Sequence, residues 1–311
     1  LTDRSAKLDE PKLKRKFRPI YRRKGIGVVS LVGGITQGES QQSPIPLPIF
    51  GTATAGEKTI VRSLRAAEKL NNLAALIFYV DTRGGDAFAS DLIQREVERI
   101  GQKIPVIVYM GDVAASGGYY VSAKAHHIIC QPATVTGSIG VVSGKPSLMG
   151  LYEKAHINAV SIKRGKNAGL YAGSAPLTEE ERQILFNSIF ESYKEFKWVV
   201  ADGRDLPFDE LDKICLGKVW TGRQALGHKL VDQNGSFLDA IKKAREMGEL
   251  PDSEDILVPV YEIAGSRRGR LWPEPFKNEK PPASIAEWVQ RLYRNGQGIQ
   301  YVMPFEIIDH L

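Results

Sequence analysis

Two glycine-marked corners of the sequence carry residue types suited to covalent catalysis. One reads Asp-Thr-Arg-Gly-Gly-Asp over residues 81–86, and the other reads Ala-Ala-Ser-Gly-Gly over residues 114–118. A serine flanked by small residues lets a substrate backbone come close to its hydroxyl. The amides of Gly85 and Gly117 can donate hydrogen bonds to the oxyanion that forms when a serine attacks a carbonyl. The pair of corners therefore indicates a possible acyl-transfer site around Ser116.

Each corner also has an ordinary structural explanation. Ser116 lies at a predicted strand-to-helix junction, where serine is a common helix N-cap. Most Gly-Gly pairs, such as Gly84-Gly85, are simply turns. The two corners are more informative together, because both follow predicted strands and the carboxyl ends of parallel strands share one edge of a sheet.

No motif in the sequence marks the base that a serine nucleophile needs. His126 and His127 follow Ser116 by about ten residues, but there is no Gly-x-Ser-x-Gly motif and no signature of a Ser-His-Asp triad. Lys163 and Lys166 are alternative bases if burial lowers the pKa of either amine. Ordinary surface histidines and solvated lysines are the competing interpretation.

Short β-branched runs that alternate with helical patterns predict an α/β fold with a largely parallel sheet covered by helices. The predicted strands cover residues 27–32, 75–80, 105–109, 128–130 and 159–162. The predicted helices cover residues 59–70, 88–100, 116–123, 178–200, 209–214, 222–227 and 237–247. Residues 37–56, which are rich in Gln, Ser, Pro and Gly, predict a surface loop.

Two helices have clear apolar faces. The first is expected to bury Phe88, Leu92, Val97 and Ile100 on one side. The helix that begins after Thr178, with Thr178 and Glu181 as a capping box, is expected to bury a stripe. That stripe consists of Ile184, Leu185, Ile189, Phe190, Tyr193, Phe196 and Val200.

Charge and composition divide the chain into three parts. Residues 1–24 carry ten of the 42 lysines and arginines, so the whole positive excess belongs to this segment. We expect a basic linker arm over residues 1–25, a folded domain over 26–250 and a proline-rich extension over 251–311 that packs on the body. The extension is predicted to hold a strand over 256–263 and a helix over 284–293. Since the chain begins with Leu1, we also expect a preceding segment.

Several classes of protein are disfavoured by composition. Two cysteines cannot build a disulfide framework, and Cys130 is expected to be a buried thiol. No cluster of His, Cys and acidic residues has metal-ligand spacing, so neither a metal nor another cofactor is expected. Aromatic residues are scarce in the basic arm, and we expect no nucleic-acid partner.

Four ordered motifs resemble those of the signal peptide peptidase A family of bacterial serine/lysine endopeptidases. They are DTRGGD from Asp81, GDVAASGGYY from Gly111, TVTGSIGV from Thr134 and VWTGRQA from Val219. The resemblance covers roughly residues 26–248. It implies a Clp protease/crotonase-like fold and a serine endopeptidase that degrades signal peptides or other membrane-released peptides.

The resemblance also assigns roles to residues. It implies that Ser116 is the nucleophile, that Gly85 is an oxyanion donor and that Ser138 is the hydroxyl that orients the general base. Peptide substrates, a homo-oligomeric ring and no cofactor are expected. Association with a bacterial membrane through a missing amino-terminal segment is also expected, with the catalytic domain outside the cytoplasm.

The sequence departs from the family pattern at the base. In single-domain members the base lysine stands where this chain has Ala168. In the long, two-domain members the amino-terminal half supplies the lysine, and this chain resembles their carboxyl-terminal half. Lys166 is the alternative base within the chain. A second departure is Thr82-Arg83, where members often carry Ser-Pro.

Two other functional classes compete with a peptidase. The first is a non-catalytic, peptidase-like scaffold that binds peptides or partner subunits, which Ala168 favours and which the presence of both Ser116 and Ser138 disfavours. The second is a crotonase-like acyl-CoA enzyme, which is expected to lack the Ser-Gly-Gly corner with its downstream hydroxyl and therefore ranks last.

Overall fold

A computed structural model describes most of the body of the protein. It covers residues 24–47, 51–145, 147–158, 160, 162–173, 176–251, 260–263 and 300–302. Residues 1–23 of the basic arm, the predicted helix over 284–293 and residues 256–259 of the strand predicted over 256–263 lie outside the described residues, whereas Val260–Glu262 of that prediction form a strand.

The elements follow one another in chain order. The first half comprises β1 Gly25–Val32, β2 Gly34–Thr36, β3 Gln41–Leu47, β4 Gly51–Gly56, α1 Glu57–Glu68, β5 Leu73–Thr82, β6 Gly84–Asp86, α2 Ala87–Gly101, β7 Val106–Ala115 and α3 Gly117–Ser122. The second half comprises β8 His127–Cys130, β9 Val135–Gly137, α4 Met149–Lys154, α5 Glu179–Arg204, a 3-10 helix Phe208–Lys213, β10 Val219–Thr221, α6 Gly222–Gly227, β11 Gln233–Asn234, α7 Phe237–Met247, β12 Val260–Glu262 and β13 Gln300–Val302.

The larger sheet of the described residues has β5 at its centre. Its strand order is β10-β9-β7-β5-β1-β12, and β8 pairs with both β7 and β11. Every described pairing in this sheet is parallel except that of β9 with β10. The structure therefore confirms the expected α/β fold with a largely parallel sheet.

Both faces of the central strand β5 are buried, and its sequence is therefore an almost continuous run of apolar residues. Leu76, Phe78 and Val80 belong to the core formed with α1, α2 and α3. Ala75 and Ile77 belong to a second core that includes residues of α7. Because successive side chains of a strand point to opposite faces, these two sets alternate along β5.

A second, smaller sheet lies beside the carboxyl ends of these strands and has the order β13-β6-β2-β4-β3. It includes β3 and β4, which pair antiparallel. The prediction of a surface loop over residues 37–56 is therefore wrong. Pro44 and Pro46 lie in β3, which is an edge strand, and an edge is where a sheet tolerates residues without an amide hydrogen.

Helices α1 and α2 cover one face of the larger sheet and are joined by charged side chains. The Nη2 atom of Arg99 lies 2.5 Å from Glu68 Oε2 and 2.5 Å from Glu96 Oε1. The buried face of α2 includes Ile93, Val97 and Ile100. The expectation that Phe88 shares this face is wrong, since Phe88 is 59% exposed.

Helix α5 begins with the expected capping box. Thr178 accepts from the amide of Glu181, and the Glu181 carboxylate accepts from the amide of Thr178. Its apolar stripe is only partly buried: Phe196 and Val200 pack in the core, whereas Phe190 is 46% exposed. The prediction that Phe190 is buried is wrong, because much of the amino-terminal half of α5 faces a groove.

Two further expectations concern smaller features. The strand predicted over residues 159–162 is not confirmed, since Val160 and Ile162 have irregular backbone and are 85% and 96% exposed. Residues 159 and 161 lie outside the described residues.

Cys130 and Cys215 are buried free thiols, as expected for Cys130. No helix in the described part of the chain has the length and apolarity needed to cross a membrane.

Candidate active site

Ser116 joins strand β7 to helix α3. Its backbone is left-handed, with φ 53° and ψ −115°, and its side chain makes no capping hydrogen bond. Positive φ is uncommon for a residue with a Cβ atom and carries strain, which proteins retain mostly at functional positions. The structure thus gives Ser116 the N-cap position without the ordinary N-cap contact.

Backbone and aromatic contacts fix this corner. The Ser116 amide donates to Gly137 O at 2.9 Å, and its carbonyl accepts from Tyr120 N at 2.8 Å. Two hydrogen bonds hold the first turn of α3 in place. Tyr119 OH donates to Leu230 O at 2.8 Å, and Tyr120 OH donates to Asp91 Oδ1 at 3.1 Å. The position of Ser116 is therefore set by the surrounding fold.

Gly85 lies in β6, close to the start of α3. Its φ is +154°, and a Cβ atom at this position would lie 2.0 Å from Ile35 O. A Cβ atom added at Gly117 would lie 3.3 Å from Gly85 N. At Gly85 only glycine fits such close packing against the backbone of Ile35. The structure therefore brings the two glycine-marked corners together, as the shared sheet edge predicted, although Gly84-Gly85 forms a short strand rather than a turn.

Ser138 follows strand β9, next to Ser116 in the sheet. Ala115 of β7 is in register with Gly137 of β9 in a parallel pairing, so the two serines directly follow a register pair. Ser138 is buried, has a φ of 50° and donates its amide to Lys218 O at 2.7 Å. Ser116 and Ser138 thus leave neighbouring strands at the same end.

The hydroxyls of these two serines share an unusual property. Among the described residues, Ser116 Oγ and Ser138 Oγ are the buried side-chain oxygens or nitrogens without a hydrogen-bond partner. Leaving a buried hydroxyl unpaired costs roughly 1–3 kcal/mol. Each of these hydroxyls is therefore able to pair with a further donor or acceptor group.

Comparison with known proteins places this geometry in a family. Residues 98–250 match the model of peptidase family S49. A relative from Methanocaldococcus jannaschii is 34% identical over 218 residues, which is 70% of each chain. The chain belongs to peptidase family S49. This membership confirms the resemblance noted above and the Clp protease/crotonase-like fold.

Other S49 relatives are much longer than this chain. "Serine protease SPPA, chloroplastic" of Arabidopsis thaliana is 37% identical over 251 residues, which is 76% of this chain and 37% of the relative. "Protease 4" of Haemophilus influenzae is 38% identical over 224 residues, which is 71% of this chain and 34% of the relative. The chain therefore matches only about a third of the length of these two relatives.

The candidate bases of this S49 chain do not gather at the serines. Lys166 Nζ pairs with Glu180 Oε1 at 2.6 Å, and the Lys166 side chain is 72% exposed. Ala168 is exposed in a turn. His126 Nδ1 accepts from the Val106 amide at 3.1 Å, which is an ordinary structural role. The structure brings Ser116, Gly85 and Ser138 together and leaves Lys166 in a surface ion pair.

An apolar groove begins at Ser138 and runs along α5. Its volume is about 290 Å³. It is lined by Ser138, Gly140, Val141, Val142, Phe186, Ile189, Phe190, Tyr193, Leu216 and Gly217. Sequence reasoning missed this groove because it placed Phe190 and Tyr193 of α5 in the core. Phe190 instead stacks on Phe186, with ring centroids 6.4 Å apart.

The strand that carries Gly85 has a neighbour from the far end of the chain. β13 pairs antiparallel with β6, and Tyr301 is in register with Gly85. On the opposite edge, β6 pairs with Ile35 of β2. A segment of this same S49 chain therefore lies as an extended strand directly beside the candidate oxyanion donor, which no sequence signal had indicated.

Proposed function

We propose that this chain is the serine-bearing domain of an endopeptidase that works through an acyl-enzyme. The observation that supports this proposal most is the buried, unpaired Ser116 hydroxyl on a strained backbone beside the glycine strand of Gly85. Membership in a peptidase family gives the same chemistry an independent basis. No metal or other cofactor enters this scheme.

The proposed reaction has two halves. Ser116 Oγ forms a bond to the carbonyl carbon of the scissile peptide while its proton moves to a neutral lysine amine, and the carbonyl electron pair moves to oxygen. The amides of Gly85 and Gly117 stabilise that oxyanion. Collapse breaks the C–N bond, and the leaving amine takes the proton from the lysine. Water then hydrolyses the acyl-enzyme by the same steps.

The lysine of this scheme is proposed to come from outside residues 24–251. The unpaired hydroxyls of Ser116 and Ser138 leave a place for one amine that can bond to both. Ala168 occupies the position of the base in single-domain relatives, and Lys166 is held by Glu180. A supply of lysine from an amino-terminal half agrees with the long relatives, of which this chain matches about a third.

The substrates are proposed to be extended apolar peptides, such as signal peptides or other membrane-released peptides. The groove beside Ser138 is walled by Val141, Val142, Phe186 and Phe190, and an apolar side chain gains about 25 cal/mol per Å² by entering such a surface. A homo-oligomeric ring and attachment to the outer side of a bacterial membrane belong to the same proposal. The ten cations of residues 1–24 are suited to anionic headgroups.

A fluorophosphonate probe tests the proposal, because it labels a serine only where the hydroxyl is activated. The wild-type protein should be labelled at Ser116, and Ser116→Ala should not be labelled, although its melting temperature should not fall. Ser122→Ala is the matched control, since Ser122 is a buried serine of the same helix whose hydroxyl donates to Gly118 O at 2.7 Å. Labelling of Ser116→Ala to the wild-type level would disprove the assignment of the nucleophile.

The competing function is a peptidase-like scaffold that binds peptides or partner subunits without cleaving them. Ala168 at the base position is the observation that favours it. The scaffold predicts peptide binding without labelling or turnover, also in the longest natural form of the protein. The peptidase proposal predicts both probe labelling and peptide turnover in the longest natural form of the protein.

A further inference from the structure

We propose that Thr82 is a positioning residue that aims the Gly85 amide at the oxyanion; this inference rests on the proposed function. Thr82 is the last residue of β5, and its side chain is buried. The Gly84 amide donates to Thr82 Oγ1 at 3.0 Å, and Thr82 Oγ1 in turn donates to Gly84 O at 3.3 Å. One hydroxyl can make both contacts, because it has one hydrogen and two lone pairs.

The hydrogen bond from Thr82 Oγ1 to Gly84 O also constrains Gly85, because the two glycines share a peptide group. The carbonyl of Gly84 and the amide N–H of Gly85 belong to the same planar unit, so that fixing one fixes the direction of the other. A hydroxyl that donates to Gly84 O therefore holds the Gly85 N–H pointing in the opposite direction within the same peptide plane. In the proposed mechanism, this Gly85 N–H donates a hydrogen bond to the oxyanion.

Two successive glycines need such a constraint. Gly84 and Gly85 have φ values of +108° and +154°, which residues with a Cβ atom rarely adopt. Glycine has the widest backbone freedom of any residue, and neither residue has a side chain to anchor it. A side-chain-to-backbone bond from the residue two positions earlier restricts this freedom locally.

The methyl group of Thr82 links the same turn to the helix that follows the nucleophile. A Cβ atom at Gly118 would lie 2.6 Å from Thr82 Cγ2 and 3.1 Å from Thr82 O. Thr82 is also in register with Ala114, two residues before Ser116. The side chain thus lies between the strand of Gly85 and the corner of Ser116, and the hydroxyl and the methyl make separable contacts.

The test compares three variants by the rate at which a fluorophosphonate labels Ser116. Thr82→Val keeps the shape and removes the hydroxyl, whereas Thr82→Ser keeps the hydroxyl and removes the methyl. Thr134→Val is the matched control, because Thr134 is a buried threonine whose hydroxyl donates to Gly111 O at 2.8 Å. Removing an oxyanion donor lowers rates by about 10²–10³. In Thr82→Val the Gly85 amide is kept but loses its alignment, so we expect the labelling rate to fall by roughly tenfold or more. Thr82→Ser and Thr134→Val should stay near the wild-type rate.

Peptide turnover by the longest natural form of the protein separates positioning from folding. Thr82→Val should lower kcat and leave KM nearly unchanged, since the amide binds the transition state rather than the ground state. Equal labelling rates for Thr82→Val and Thr134→Val would overturn the inference. So would an equal loss in Thr82→Ser and Thr82→Val, because the methyl contact would then be responsible.

Amide hydrogen exchange tests the contact between Thr82 and Gly84 without requiring any catalytic activity. Thr82→Val should speed the exchange of the Gly84 amide, which loses its acceptor, while the amides of α2 keep their wild-type rates. Unchanged exchange at Gly84 would overturn the role of Thr82 even in an active enzyme. Faster exchange at Gly84 in a protein whose Ser116 is never labelled would instead disprove the proposed function and, with it, a catalytic use of the turn.

Discussion

Ser116 and Ser138 each follow one member of a register pair, Ala115 of β7 and Gly137 of β9. Both hydroxyls are buried, and neither has a hydrogen-bond partner among the described residues. Both backbones are left-handed, with φ values of 53° and 50°. The strand register therefore places two strained serines at the same end of neighbouring strands, each with a hydroxyl that has no partner among the described residues.

In the form of the protein that carries the proposed base, Ser138→Ala should lower the rate of probe labelling by roughly tenfold without destabilising the protein. The base then loses the hydroxyl that orients it, and general-base catalysis contributes about 10²–10⁴. The free energy of unfolding should not fall and should rise by up to about 1–3 kcal/mol, because the Ser138 hydroxyl is buried without a hydrogen bond in the folded protein. Ser63→Ala serves as control, since this buried hydroxyl in α1 donates to Thr59 O at 3.0 Å. A wild-type labelling rate in Ser138→Ala would remove Ser138 from the site.

Gly85→Ala should destabilise the protein far more than Gly38→Ala. Both glycines have positive φ, but the new Cβ atom would lie 2.0 Å from Ile35 O at Gly85 and would have nothing within 4 Å at Gly38. We expect a loss of about 1 kcal/mol at Gly38 from backbone strain alone and of about 3 kcal/mol or more at Gly85. Urea denaturation measures both, and similar losses would contradict the close packing of β6 on β2.

Lys166→Ala should change labelling by less than about twofold, because surface ion pairs such as Lys166–Glu180 contribute little. The 311-residue chain should be labelled slowly by itself. Under the two-half proposal, addition of an amino-terminal half that supplies the proposed lysine should raise the rate at least tenfold. If the short chain is fully active and Lys166→Ala abolishes its activity, Lys166 is the base and the two-half model is wrong.

A chain that ends at residue 299 should be labelled several-fold faster than the full chain. β13 occupies the edge of β6 beside Gly85, where an extended peptide substrate would add as a strand. A tethered strand competes at a high effective concentration. A synthetic peptide with the sequence of residues 297–305 should slow labelling again when added to the shortened chain. An equal rate in both chains would show that β13 does not compete with substrate.

Stability should fall as the pH rises from about 9 to 11. Burial raises the pKa of Cys130 from 9.0 to about 11 and that of Cys215 from 9.0 to about 12. In this window the unfolded chain releases thiol protons that the native protein keeps, so the free energy of unfolding decreases with pH. The double variant Cys130→Ala/Cys215→Ala should show a shallower decrease in urea titrations at several pH values. An identical slope would contradict the burial of these thiols.

The sequence predicted the parts of the fold that depend on local pattern. The central strand, the capping box of Thr178 and helix α7 follow from apolar runs, spacing and caps, so they were predictable within a few residues. The β3–β4 pair was missed, because its prolines resemble those of a loop and are tolerated only at a sheet edge. The side-by-side position of Ser116 and Ser138 depends on the register of β7 and β9, which no local signal encodes. Thr82 had one usable signal, a hydroxyl two residues before the first of two glycines.

The division between main chain and side chain at this site has a consequence for protein engineering. In the proposed mechanism the oxyanion is held by the backbone amides of Gly85 and Gly117, and Gly85 admits only glycine because a Cβ atom there would lie 2.0 Å from Ile35 O. The groove is built from the side chains of Val141, Val142, Phe186 and Phe190, three of which lie at least 42% exposed in the free chain. Under the proposed function, reactivity and substrate preference depend on separate positions. A library confined to the groove walls should retune which peptides are accepted while the chemical step stays intact.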